Sequence, residues 1–338
     1  MKRYIALLLI LALLLPTLAG CGNTAEPETT ATKPAPAEPE EEAKTLKILT
    51  LGHSLTVDSC HMLNMVAAAE GMDNLVVGTL YYSGCSLEKH VAFLTSDEPA
   101  YNLYLSSSAT PNVAPVIENG VTMKYALNYD YWDIIIMQGG GFEIAKDATY
   151  TDGNIQKIQE YVNKHKSADW ATFAWHMPWA LPVDPDLQAT QKTGTVHEAY
   201  KKYDHDRSKY FQAMTGCVEK HIVTDETFTF VIPSGTAIEN ALSSYLTEKD
   251  LHRDYAHATD YGRLIAAYTW YCKLAGIEQL DKVNLDMVPK QFFKSNPAGT
   301  PDWVLTDQEK AILIESVNNA LKNPLQMTQS QYTEAPAN

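Results

Sequence analysis

Five short apolar runs punctuate the chain, at residues 46–51, 75–80, 133–137, 171–175 and 227–232, each bounded by turn-forming residues. They are nearly unbroken rather than alternating, and segments of helical periodicity lie between or after them. A strand apolar on both sides needs cover on both faces, and strands separated by helices are joined by crossovers. The pattern therefore predicts an α/β fold in which a mainly parallel five-stranded sheet lies between two helical layers. The helical segments are residues 60–70, ended by Gly71; 87–94; 154–165; a long one around 197–223; 237–245; 260–274, closed by Gly276; and 307–321. The last opens with Thr306 and Glu309 at capping-box spacing and stops before Pro324. Residues 95–132 follow neither period and are rich in Ser, Pro, Asn and Tyr, which predicts an irregular excursion along one rim of the site.

In doubly wound sheets ligands bind beyond the carboxyl ends of the strands, so the chemistry is sought there. The first strand runs out into Gly52-His53-Ser54-Leu55. The glycine permits a tight turn, and the serine then faces the crevice near a helix start, where backbone amides favour negative charge. A GxS triplet by itself is equally a serine N-cap. Near the other end, Asp254 and His257 stand three residues apart, between the last strand and a helix. On a turn of helix that spacing puts both on one side, so that the carboxylate fixes the imidazole tautomer while the other ring nitrogen meets a nucleophile. A serine hydroxyl needs such a base before it attacks.

Several blocks in order carry a resemblance. ILTLGHSLTVDS is similar to block I of the SGNH (GDSL-like) hydrolases, with Gly-X-Ser in place of Gly-Asp-Ser; Tyr82-Ser83-Gly84-Cys85 resembles block II; and RDYAHATDYGRLIAA resembles the closing Asp-X-X-His block. YALNYDYWDIIIMQ and VIPSGTAIENAL resemble an uncharacterised, domain-of-unknown-function branch of that superfamily, and the similarity spans most of residues 46–275. The resemblance implies a flavodoxin-like three-layer α/β/α sandwich and esterase chemistry. It makes Ser54 the nucleophile, His257 the base and then acid, and Asp254 its orienting carboxylate. The backbone N–H groups of Ser54 and Gly84 would form the oxyanion hole. The superfamily takes a further donor from a Gly-X-Asn block, which this chain lacks; strand three ends instead in Gln138-Gly139-Gly140-Gly141. Gln138 is taken as the third donor, with the glycine amides as the alternative, and loss of one donor typically costs ~10²–10³ in rate.

Neighbouring residues admit other roles. Asp250, His252, Asp254 and His257 form a His/carboxylate cluster of the kind that binds zinc or manganese, but no second cluster completes a shell and Ser54 would go unexplained. No metal or organic cofactor is expected. His252 competes with His257 as base on weaker surroundings, and His53 is expected to point away from the site in a structural role. Trp175 and His176, with Trp179 nearby, lie at the end of strand four; they are assigned to substrate binding by stacking on a sugar face, against burial in the core. Tyr81 and Tyr82 carry the same ambiguity.

The ends place the domain. Lys2 and Arg3, an apolar run over residues 4–15 and small residues before Cys21 describe a secretory signal over residues 1–20, and the LAGC ending resembles the bacterial lipobox. Cys21 is therefore expected to be lipidated, with the acyl chains anchoring an extracytoplasmic protein to the membrane. Residues 22–43 hold six Glu against one Lys and no aromatic residue, so residues 21–43 read as an extended tether. Residues 44–325 form the domain and 326–338 a loose tail. A net charge of −15 argues against nucleic acid as a partner. Besides Cys21, the cysteines Cys60, Cys85, Cys217 and Cys272 show no CxxC spacing, and their pairing is open.

The expected function is hydrolysis of a small O-acyl ester of acetyl type, on an acylated glycan or similar small ester, through an acyl-serine. The alternatives are a non-catalytic surface lipoprotein that binds glycan or another ligand on the same scaffold, and a solute-binding lipoprotein, which would need two similar lobes where the chain has one set of strands.

Overall fold

The computed structural model describes residues 44–191, 195–288 and 304–336. Seven strands form one sheet in the order β4-β3-β2-β1-β5-β6-β7. In chain order they are β1 (Leu46–Gly52), β2 (Leu75–Tyr81), β3 (Tyr101–Ser107), β4 (Val116–Val121), β5 (Ile134–Met137), β6 (Thr172–His176) and β7 (Phe228–Ile232). β2, β1, β5, β6 and β7 run parallel, whereas β3 pairs antiparallel with both β2 and β4.

Alternation along each central strand divides the core in two. Leu49 and Leu51 of β1, Ile135 and Met137 of β5, and Phe173 and Trp175 of β6 pack on one face. Ile48, Ile136 and Ala174 of the same strands pack on the other. The first face is covered by helices Leu87–Ser96, Asn154–His165 and Arg207–Val218. Helices Ser54–Cys60, Leu63–Ala69, Ser234–Leu242, Asp260–Ala275 and Asp307–Lys322 cover the second. The result is the three-layer α/β/α arrangement expected for strands apolar on both sides.

The five expected strands are present, and the expectation of five is corrected to seven. β3 and β4 arise from the segment read as an irregular excursion. In β3 only Tyr101 and Leu103 are buried, among Asn and Ser, and the edge strand β4 is mostly exposed and contains Glu118 and Gly120. Edge strands need no continuous apolar run, so the period was faint. The helix predicted at 60–70 forms as Leu63–Ala69, and a separate helix, Ser54–Cys60, precedes it, starting where the His53 side chain accepts the Leu55 N–H and caps it. The helices expected at 154–165, 260–274 and 307–321 form within a residue of those bounds, the last with the Thr306–Glu309 capping box. Residues 326–336 of the tail expected to be loose make hydrogen bonds to the domain. Thr328 N–H donates to Asn240 Oδ1 at 2.7 Å, and the Tyr245 N–H to the Tyr332 carbonyl at 2.9 Å.

No helix among the described residues is long and apolar enough to cross a membrane. The signal, Cys21 and the tether to residue 43 lie outside the described residues.

The chain passes from β1 to β2 on one side and later returns to β5 on the other. That makes the carboxyl end of β1 a topological switch point, with a crevice between the loops that follow β2 and β5.

Candidate active site

The crevice at that switch point is a cleft of about 570 Å³. Ser54, Gly84, Gly140, Gly141, Tyr255 and His257 all line it. Residues more than two hundred positions apart in the chain thus meet in one depression.

Ser54 opens a helix, directly after the capping residue His53. The turn requires glycine at 52, where a Cβ would collide with the Thr56 side chain. His53 lines the cleft beside Ser54 rather than pointing away from it as expected, and both its ring nitrogens are engaged: Nδ1 accepts from Leu55 N–H at 3.3 Å, and Nε2 lies 3.2 Å from the Gly139 carbonyl. These partners assign the Nε2–H tautomer. Burial pushes its pKa down to about 4, against the Gly139 hydrogen bond and with help from nearby His257, so the ring is neutral at pH 7. It thereby ties the turn carrying Ser54 to the loop after β5.

Gly84 has φ +59°, a left-handed conformation that favours glycine, and it lines the cleft beyond β2. Asp254 and His257 lie on an irregular loop rather than on the expected turn of helix. The Asp254 carboxylate accepts the backbone N–H groups of Ala256 at 2.9 Å and His257 at 2.8 Å, and both its oxygens stand 2.9 Å from His257 Nδ1. Burial opposes ionisation of Asp254, but the hydrogen bonds from His257 and Ala256 outweigh it and hold the pKa at about 2. The carboxylate is therefore charged and the imidazole turned so that Nε2 is left for the cleft. Among the described hydrogen bonds none joins Ser54 to His257. Asp254 and His257 are thus paired, while Ser54 and His257 share the cleft without a described hydrogen bond between them.

Three expected site residues are not in the cleft. Gln138 is 2% exposed, and its Oε1 accepts from His176 Nδ1 at 2.8 Å. Its buried Nε2 has no partner among the described residues, but Gln138 is not among the residues that line the cleft, so the oxyanion assignment is corrected. The amides of Gly140 and Gly141, which do line the cleft, are the remaining candidates. Trp175 and His176 are each 1% exposed. Trp175 packs between Tyr150 and Phe228, at ring separations of 5.8 and 5.6 Å, so the substrate-stacking role of both residues is corrected to core packing. Trp179 is also buried, and its indole N–H donates to the Ala256 carbonyl at 2.8 Å, bracing the Asp254–His257 loop. The aromatic groups that do face the cleft are Tyr81, Phe142 and Tyr255, the last two stacked at 6.4 Å.

The four candidate metal ligands do not converge. The Asp250 carboxylate caps its own helix at Thr247, His252 is buried with Nδ1 3.2 Å from the Glu248 carbonyl, and Asp254 is engaged with His257. All four cysteines of the domain are free thiols.

One charged cluster went unread. Asp58, 2% exposed and four residues after Ser54, binds both Arg253 and Arg263. The only signal available was the presence of Asp58 in the first motif and of two arginines flanking the last.

The family described as "Domain of unknown function (DUF4886)" matches residues 47–290. A DUF4886 family protein from Bacteroides uniformis ATCC 8492 has a similar fold, with TM-score 0.69 and 23% identity over 86% of this chain and 100% of that one. A Slackia heliotrinireducens protein provisionally described as an SGNH hydrolase aligns at TM-score 0.41 and 15% identity, over 68% of this chain and 98% of that one, too remote to carry an argument. None of the curated proteins compared with the chain matches it.

Proposed function

The chain belongs to the DUF4886 family, and from that premise we propose that it is a serine hydrolase that cleaves small O-acyl esters through an acyl-serine. The observation that carries this reading is the shared cleft at the switch point, where Ser54 sits with a His257 already oriented by an ionised Asp254. In the proposed cycle His257 Nε2 takes the Ser54 proton as Oγ attacks the acyl carbon. The N–H groups of Ser54 and Gly84, with Gly140 or Gly141, hold the developing oxyanion. Collapse breaks the ester C–O bond, and His257 returns the proton to the departing alcohol. Water then repeats the sequence, releasing the acid and restoring the serine.

The substrate proposed is an acetyl-type ester on a carbohydrate. Support comes from the polar groups that line the cleft, Ser83, Ser86, Glu88 and Glu143, together with the stacked rings of Phe142 and Tyr255. The address proposed is extracytoplasmic, with the domain held to the membrane by acyl chains on Cys21.

A second reading, glycan binding without turnover, is favoured by the open serine–base contact and the absence of an asparagine donor. The chain lacking residues 1–43 is expected to release p-nitrophenol from its acetate ester, and Ser54→Ala to abolish this with the fold intact. Equal inactivity of both proteins on acetylated glycans that they nevertheless bind decides for the second reading.

A further inference from the structure

We infer that Asp58 is a positioning residue that sets the separation between the nucleophile and its base; the inference rests on the serine-hydrolase reading above. Ser54 and Asp58 occupy positions i and i+4 of one short helix, one turn apart on the same side. From that place the Asp58 carboxylate accepts from Arg253 Nη1 at 3.2 and 3.1 Å to its two oxygens, and from Arg253 Nη2 at 3.2 Å. It also accepts from Arg263 Nε at 2.9 Å, Arg263 Nη2 at 2.7 Å and the Ala258 backbone N–H at 2.9 Å. Arg263 is shared with Asp260, 3.0 Å from its Nη1, which balances the charge of the cluster.

Arg253 and Ala258 are the two ends of the loop that carries Asp254 and His257. The loop closes on itself, with the Arg253 N–H donating to the His257 carbonyl at 2.9 Å and the Arg253 guanidinium to the Ala258 carbonyl. Asp58 therefore grips both feet of a closed ring whose crown bears the acid and the base. The helix that presents the hydroxyl also holds the imidazole's support, so a single rigid turn fixes their spacing. Charge-assisted hydrogen bonds to a buried carboxylate are short and directional, which suits such a fixture. Positional errors of about 1 Å cost on the order of 10²-fold in rate, so the fixture bears on turnover more than on binding.

The test compares wild type with Asp58→Asn, which keeps the size and one acceptor but drops the charge, and with Arg253→Gln, which frees one foot while Arg263 still pairs Asp58. Thermal unfolding establishes that each variant is folded at the assay temperature. Expected are a fall in kcat of about 10²-fold for Asp58→Asn, with KM within twofold, a smaller fall in kcat for Arg253→Gln, and parallel slowing of Ser54 labelling by a fluorophosphonate. A purely structural role would lower the melting temperature and leave kcat and labelling rate unchanged in the folded protein; that result overturns the inference. Loss of fold in both variants also overturns it. A wild type that neither turns over ester nor takes up the phosphonate overturns the hydrolase reading itself, and this inference with it.

Discussion

His257 Nδ1 stands 2.9 Å from both carboxylate oxygens of Asp254, and the same carboxylate takes the backbone N–H of His257 at 2.8 Å. One side chain thus fixes the ring, its tautomer and the turn beneath it. With Nδ1–H committed to Asp254, Nε2 is the basic nitrogen presented to the cleft. Asp254→Asn would keep the turn, since its carbonyl oxygen still accepts backbone N–H groups, but its amide would favour the opposite tautomer. The expected outcome is a loss of about 10³–10⁴ in kcat with little change in KM, measured on an activated acetate ester. Turnover within tenfold of wild type removes Asp254 from the mechanism.

Gly84 separates conformation from crowding. Its φ of +59° is unfavourable for an L-residue, yet a Cβ there meets nothing within 4 Å. Gly84→Ala is therefore expected to cost about 1–2 kcal/mol through backbone strain, without a clash. If relaxation turns the N–H from the cleft, kcat falls by about 10²–10³ while the binding of a non-hydrolysable analogue is kept. Unchanged kcat with the stability loss assigns the oxyanion donors to Ser54 and the glycines after β5.

The legible parts of this fold were those whose signal is local. β1, β5 and β6 are buried on both faces and announce themselves as apolar runs, and Gly276 and the Thr306–Glu309 pair mark helix ends within a turn of chain. β3 and β4 were hidden because a half-exposed edge hairpin tolerates Asn, Ser and Gly. The Ser54, Gly84 and Asp254–His257 blocks stand out in the sequence as short local motifs, and the fold brings Ser54, Gly84 and His257 to one cleft. Asp58 was not, because its partners lie 195 and 205 residues away and a lone aspartate on a helix carries no mark of them. Trp175 misled for the opposite reason: a strand-end indole is equally suited to a sugar face or a core, and only the packing around it decides.

That packing yields its own prediction. Trp175→Phe leaves a partly filled space between Tyr150 and Phe228 and should destabilise the protein by on the order of 1–3 kcal/mol. KM for any glycan ester should stay within twofold, because the indole does not line the cleft. A tenfold rise in KM at unchanged stability would restore the residue to the substrate.

Acid should begin to destabilise this protein above the range where carboxylates titrate. Burial lowers the pKa of His53 to about 4 and those of His90 and His176 to about 3, from an ordinary 6.5. The unfolded chain takes up these protons as the pH drops through 6.5, while the native state refuses them until about 4 and 3, so stability is full above 6.5 and declines below it. Each such histidine contributes a slope of about 1.4 kcal/mol per pH unit, approaching about 4 for the three near pH 5. Asp254, held at about 2 rather than 3.8, adds a further loss only at lower pH. Urea midpoints followed by near-UV circular dichroism from pH 8 to 5 should show a plateau and then a steep fall. In His90→Leu the fall should be shallower by about 1.4 kcal/mol per pH unit, whatever the variant's stability at pH 8, because one buried proton acceptor is gone. Midpoints that stay level down to pH 5 would mean that these rings are not held neutral by burial, and that the neutral His53 assigned to the turn beside Ser54 is wrong.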